Sequence, residues 1–216
     1  MKLLDNLLAE ELIKIHAVLF QPESPFMWAS GWSAPLYADI RQTLSYPRVR
    51  NLIKVEMARL IMENFADTEV IAGVATGAIA QGALVADSLG KPFVYVRSTP
   101  KDHGLENVIE GNIKPGQNVV LIEDQLSTGN NCFKAYHSIT QAGGNVVGLM
   151  VMFNYQFAQG AQVIESLQVP MVTLTNFEAT LQAAKRLGAL SPAAIETLRQ
   201  WHDNPDSWLP AQPAVD

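Results

Sequence analysis

Residues 118–131, Asn-Val-Val-Leu-Ile-Glu-Asp-Gln-Leu-Ser-Thr-Gly-Asn-Asn, run from an apolar stretch into two adjacent acids and then a small polar loop. Glu123 and Asp124 can accept hydrogen bonds from sugar hydroxyls. Ser127, Thr128 and the amides around Gly129 can hold a phosphate where a helix begins and its dipole favours negative charge. Together these groups describe a site for a sugar phosphate. The same spacing also fits a solvated strand-to-helix turn capped by Ser or Thr, so the surroundings must decide. The segment is not a P-loop, because no Gly-Lys-Ser/Thr follows, and no dinucleotide fingerprint follows the first strand.

Three further stretches carry residues of the right chemistry. Residues 73–82 supply Gly73, Thr76 and Gly77, small enough to let a diphosphate approach the backbone. Residues 97–111 set Arg97, Lys101 and His103 among a Pro and two Gly with little apolar anchoring, a composition that predicts a mobile, lid-like loop. Residues 26–41 are aromatic, yet Ser30, Gly31, Ser33 and Pro35 make them a poor core strand and a good lining for a flat ring. His16, His103, His137 and His202 are scattered and Cys132 stands alone, so no zinc cluster is expected. Mg²⁺ suits the pattern better, since it commonly binds through few carboxylates and the substrate's own phosphates.

The elements that must position these groups form a βαβ series. Val/Ile-rich runs at 69–75, 92–97, 118–124, 145–153 and 169–175 read as strands buried on both faces of a parallel sheet. Residues 78–90 and 131–144 have helical periodicity and stop at glycines. Ligands bind beyond the carboxyl ends of such strands, which places Glu123 and Asp124 at the mouth of the site. Residues 1–20 read as one amphipathic helix, 47–66 as another, and 191–208 as a last helix with a Ser-Pro start. The first helix is not a signal segment, because Asp5, Glu10, Glu11 and Lys14 interrupt it.

Composition sets the outer limits. The 216 residues are 48% hydrophobic and 17% charged, with a formal net charge of −6. One globular unit is expected, with no nucleic-acid or anionic-membrane surface. No apolar run reaches the roughly 18 to 20 residues that span a bilayer. The single cysteine excludes an intramolecular disulfide and suits a reducing, cytoplasmic setting.

An apolar strand followed by Glu-Asp, two residues and Ser-Thr-Gly resembles the phosphoribosyl pyrophosphate (PRPP) signature of type I phosphoribosyltransferases. Residues 26–47, 70–111 and 152–160 resemble orotate phosphoribosyltransferases, and the similarity extends over nearly the whole chain. The resemblance implies an α/β, type I phosphoribosyltransferase fold: a central, mostly parallel sheet flanked by helices, a small N-terminal hood and a flexible catalytic loop. It implies a single domain over 1–216, with the hood built mainly from 1–45 and C-terminal helical contributions. The implied reaction transfers the 5-phosphoribosyl group from PRPP to orotate with Mg²⁺, giving orotidine 5′-monophosphate and pyrophosphate. Asp124, Glu123 and Lys101 are the implied catalytic residues. PRPP would be bound by Arg97, Lys101, His103, Glu123, Asp124, Gln125, Leu126, Ser127, Thr128, Gly129, Asn130, Asn131, Thr76 and Gly77. Orotate would meet Ser127, Phe26, Ser30 and Tyr37, the metal would arrive with PRPP without a firm protein ligand, and a homodimer would share the 98–111 loop between subunits.

The chain departs from the family pattern at several places. Ser98 and Thr99 stand where many relatives have a lysine, Ala78 replaces a glycine, and Ala29, Ser33 and Ala34 differ from frequent lysine and serine positions. Asn130 and Asn131 replace a glycine and a hydroxyl residue. The arginine that holds the base carboxylate in other branches would fall near Asn154 or Tyr155, where none stands. Transfer to another base, and a non-catalytic PRPP-sensing regulator of the same fold, are the alternatives.

Overall fold

The computed structural model describes residues 2–28, 30–97 and 108–209. Four short strands lead the chain: β1 (Val18–Phe20), β2 (Phe26–Met27), β3 (Ser33–Ala34) and β4 (Leu36–Ala38), pairing antiparallel as β1 with β4 and β2 with β3. The Val/Ile-rich runs then form β5 (Val70–Val74), β6 (Phe93–Val96), β8 (Asn118–Leu126), β9 (Asn145–Asn154) and β10 (Met171–Asn176). With β7 (Ile109–Glu110) they make one sheet in the order β10-β9-β8-β5-β6-β7, parallel except for β7 at the edge.

The helices are α1 (Lys2–Lys14), α2 (Pro47–Asn64), α3 (Ile79–Leu89), α4 (Asn130–Gln141), α5 (Ala158–Ser166), α6 (Phe177–Arg186) and α7 (Pro192–Asp203). Their boundaries follow local chemistry. Gly90, at φ 60°, terminates α3 and donates back to the carbonyls of Ala86 and Asp87. Ser191 caps α7 by accepting from the Ala194 amide, with Pro192 in the first turn. The helix expected over 1–20 stops at Lys14. His16 turns left-handed at φ 58°, and the following Val18–Phe20 pairs with β4, where its apolar side chains gain more than a frayed helix end would offer.

Continuous apolar strands are explained by burial on both faces. Val119, Leu121, Leu149 and Val151 pack with Cys132, Ala135 and Ile139 of α4 and Ile164 of α5. Their alternates Val120, Ile122, Met150 and Met152 join Ile53, Met57 and Ile61 of α2 and Val85 of α3 in a second, larger core. Each fully buried aliphatic side chain contributes about 1.5–3 kcal/mol. That larger core runs on into α1, the short N-terminal strands and α7. Trp201 of α7 is fully buried, edge-on to Trp28 and Phe157 at centroid distances of 5.7 and 5.3 Å. α1 lies on α6, with Glu10 bound to Arg186 at 2.9 Å and the Asp5 carbonyl accepting from Thr175 Oγ1 at 2.8 Å.

The charged segment after β6 is not a loop all the way to residue 111. The Arg97 amide donates to the Val108 carbonyl at 2.7 Å, and Ile109–Glu110 returns as β7 against Tyr95 and Val96. Among the described residues no helix is long and apolar enough to cross a membrane.

Candidate active site

The two acids do not cap a strand; they belong to it. β8 continues past them because Gln125 and Leu126 pair with Phe153 and Asn154 of β9, two residues beyond the expected end. Glu123 and Asp124 are therefore 3% and 8% exposed rather than solvated. Alternation along β8 starts them on opposite faces, but both border the same cleft and their carboxyls hydrogen-bond to one another. Glu123 follows Val119 and Leu121 toward α4, where the Cys132 thiol donates to Oε2 at 3.5 Å and the Asp124 amide to Oε1 at 3.3 Å. Asp124 follows Val120 and Ile122 and presents its carboxyl to Gly77, where a Cβ would collide with it.

Their ionisation differs accordingly. Burial, then the Asp124 charge beside it, pushes Glu123 well above the usual carboxylate range. Burial raises Asp124 too, but hydrogen bonds from Glu123 and from backbone amides and the charge of Arg41 pull against it. The Cys132 thiol is raised by burial and by Glu123, and stays a donor rather than a nucleophile.

Asp124 opens on a cleft of about 590 Å³. One wall is the turn after β5, with Ala75, Thr76 and Gly77 and a cis peptide between Ala75 and Thr76. The turn can be tight because Gly73 lets the Ala78 carbonyl come within 2.9 Å of where a Cβ would stand. A second wall is Gln125, Ser127, Thr128 and Asn131. The third is the N-terminal cap of short strands, contributing Met27, Trp28, Ser30, Trp32, Tyr37 and Arg41, with Tyr155 from the chain after β9. The buried Tyr155 hydroxyl accepts from the Ala38 amide at 3.1 Å and fixes β4 to the sheet; burial pushes that hydroxyl far above the usual phenol range.

The loop after β8 curls around a smaller recess of about 50 Å³, lined by Glu123 and by residues from Gln125 to Cys132. Gly129, at φ 81°, makes the turn, and Asn130 and Asn131 begin α4 in helical geometry, so no left-handed asparagine is needed. Among the described residues no side chain caps α4, which leaves the first amides of a helix start that borders the recess available as anion donors. Gly160 of α5 lies directly beneath, where a Cβ would meet the Ser127 carbonyl.

Of the candidates from sequence, Thr76, Gly77, Glu123, Asp124, Gln125, Ser127, Thr128 and Asn131 meet at the cleft with Ser30 and Tyr37, and Gly129 and Asn130 border the recess. Leu126 turns its side chain into the core at 2% exposure and offers only backbone, its carbonyl already accepting from the Tyr155 amide at 2.9 Å. Phe26 stands behind Tyr37, ring centroids 5.6 Å apart, and does not line the cleft. Arg97 borders a separate small recess beside Lys134 and reaches Glu110 at 3.4 Å. Lys101 and His103 lie outside the described residues. Met27, Trp28 and Trp32 line the cleft within the segment read as ring lining, though they were not named singly, and Arg41 is a lining residue that the reading did not single out, although it carried a signal as a cation in that segment.

A phosphoribosyl transferase domain model matches residues 46–182. The chain is 52% identical over 208 residues to an orotate phosphoribosyltransferase of Porphyromonas gingivalis, covering 96% of this chain and 99% of that one. It is 42% identical over 205 residues to the corresponding Listeria monocytogenes protein, covering 95% and 98%. Among solved structures, Aeropyrum pernix orotate phosphoribosyltransferase superposes with a TM-score of 0.73 at 26% identity, covering 85% of this chain and 99% of that one. A Mycobacterium tuberculosis orotate phosphoribosyltransferase in complex with PRPP superposes with a TM-score of 0.61 at 26% identity, covering 82% and 98%.

Proposed function

Because the chain belongs to the orotate phosphoribosyltransferases, we propose that the cleft carries out that family's reaction in pyrimidine biosynthesis through the residues gathered around Asp124. The 5-phosphoribosyl group passes from PRPP to N1 of orotate, giving orotidine 5′-monophosphate and pyrophosphate. The observation that carries this reading is the meeting, in one cleft, of the Asp124 carboxyl, the uncapped start of α4 and an aromatic wall.

The 5′-phosphate sits in the recess of residues 127–131, held by the hydroxyls of Ser127 and Thr128 and the first amides of α4. Thr76 and Gly77 receive the diphosphate against backbone. Asp124 holds the ribose hydroxyls and favours the cationic character that the ribose gains as the bond to pyrophosphate breaks, so no protein nucleophile is required. Glu123, its ionisation opposed by burial, hydrogen-bonds to Asp124 and positions it. Ser30, Tyr37 and Ser127 line the base site. Lys101 and His103 serve the departing pyrophosphate, Lys101 first among them, joined by Arg97, whose recess shares Ala75 and Asn131 with the cleft, and the 98–111 segment does so across a homodimer.

Mg²⁺ fits the donors present: the Asp124 carboxylate opens on the cleft and would hold the ion, which would supply positive charge to the leaving group.

Pyrophosphate release from PRPP with Mg²⁺, measured separately with orotate, uracil, adenine and hypoxanthine, tests the reading. Orotate is expected to support turnover well above the others. Faster turnover with another base reassigns the acceptor, and PRPP binding without release for any base reassigns the chain to a sensing role.

A further inference from the structure

We infer that Arg41 is a specificity-determining residue: its guanidinium receives the carboxylate of the acceptor base. This rests on orotate being the acceptor and deepens that reading. Orotate carries a carboxylate into a cleft whose described lining already includes Asp124 and Glu123. A second anion beside Asp124 is repelled unless a cation faces it. Among the described lining residues Arg41 alone carries positive charge. It belongs to the ring-lining wall with Tyr37 and is near enough to Asp124 that the two charges stabilise one another.

The side chain is aimed. Arg41 Nε donates to Asp39 Oδ1 at 2.7 Å, which fixes the guanidinium plane and leaves the terminal nitrogens as a fork suited to a second carboxylate. The backbone that carries it is held as well: Asp39 and Arg41 follow β4, which the buried Tyr155 hydroxyl ties to the sheet through the Ala38 amide. At 51% exposure the Arg41 side chain is open to an incoming ligand rather than packed away. Asp39 offsets part of its charge, so recognition depends on directed hydrogen bonds, which a lysine cannot reproduce as a fork.

Orotidine 5′-monophosphate and uridine 5′-monophosphate differ by this one carboxylate, so calorimetric binding of the two nucleotides isolates the contact. Arg41→Gln is expected to weaken orotidine 5′-monophosphate by roughly 10- to 100-fold, the loss of a hydrogen-bonded charge pair, and to leave uridine 5′-monophosphate and the KM for PRPP little changed. In turnover the KM for orotate should rise while kcat falls less. If both nucleotides weaken together, or the KM for PRPP rises in step, Arg41 serves the phosphates and the assignment is wrong. Unchanged orotidine 5′-monophosphate affinity also overturns it. Retained uridine 5′-monophosphate binding reports an intact fold in the variant. Failure of the wild-type protein to turn over orotate overturns the acceptor reading itself, a result visible before any substitution is made.

Discussion

A carboxyl group that a strand turns toward a helix does not respond to substitution as does one turned toward a cleft. Asp124→Asn removes charge from the cleft and is expected to lower kcat by about 10²–10³-fold, whereas Glu123→Gln replaces a group whose ionisation burial already opposes and should cost far less. Initial rates of pyrophosphate release, beside circular dichroism spectra that match the wild type, check this; equal losses would mean that Glu123 acts as a charge. Its raised ionisation also links stability to pH. A carboxyl whose folded value lies above its ordinary 4.5 contributes stability that is present below that value and lost as pH rises through the folded one. Thermal midpoints taken upward from pH 4.5 should therefore shift in favour of Glu123→Gln as pH increases, and parallel curves would refute the buried proton. The acids were legible in the sequence, but their burial was not. Two adjacent charges after an apolar run look like a solvated strand end, and only the partner β9 decides where β8 stops. Arg41 escaped notice for a related reason: an acid two residues before it gives the appearance of a surface ion pair.

At the scale of elements, the five parallel strands could be read because burial on both faces leaves long apolar runs, and the helices with capping residues or terminal glycines could be bounded. β7 could not, since two residues carry no period. α5 and α6 were not foreseen, although Asn176 capping Ala179 and the basic end of α6 at Lys185 and Arg186 were signals in plain view. α5 has no side-chain cap, and its place is visible only in three dimensions: Gly160 lets it approach the loop after β8. Replacing an interior helix glycine by alanine ordinarily stabilises a helix by about 1 kcal/mol. Gly160→Ala should instead leave the thermal midpoint unraised and increase the KM for PRPP several-fold, because the new methyl group displaces the Ser127 carbonyl. A more stable variant with unaltered kinetics would show that the loop tolerates the push.

The sheet that carries Asp124 and the cap of short strands, the two sides of the cleft, meet at the aromatic cluster around Trp201. Trp201→Ala is expected to cost about 3–5 kcal/mol in chemical denaturation, since it empties a fully buried site shared by Trp28, Tyr155, Phe157 and Phe177. The proposed dimer is tested by mixing two inactive variants, Lys101→Ala and Asp124→Asn, and letting subunits exchange. Random pairing makes about half the dimers mixed, each with one site whose core and loop are both intact, so about a quarter of wild-type activity should return. No recovery, with exchange verified by mass spectrometry, would mean that each loop serves its own subunit. The seat of Trp28 against Trp201 has one more consequence, for the order in which the site comes into being. Synthesis proceeds from the amino end, so residues 70–141, with the acids and the start of α4, leave the ribosome tens of residues ahead of α7. On the proposed reading, α7, which seats Trp28 of the ring wall, is also among the last elements to be made, so the ring wall finds its settled place only when nearly the whole chain has left the ribosome.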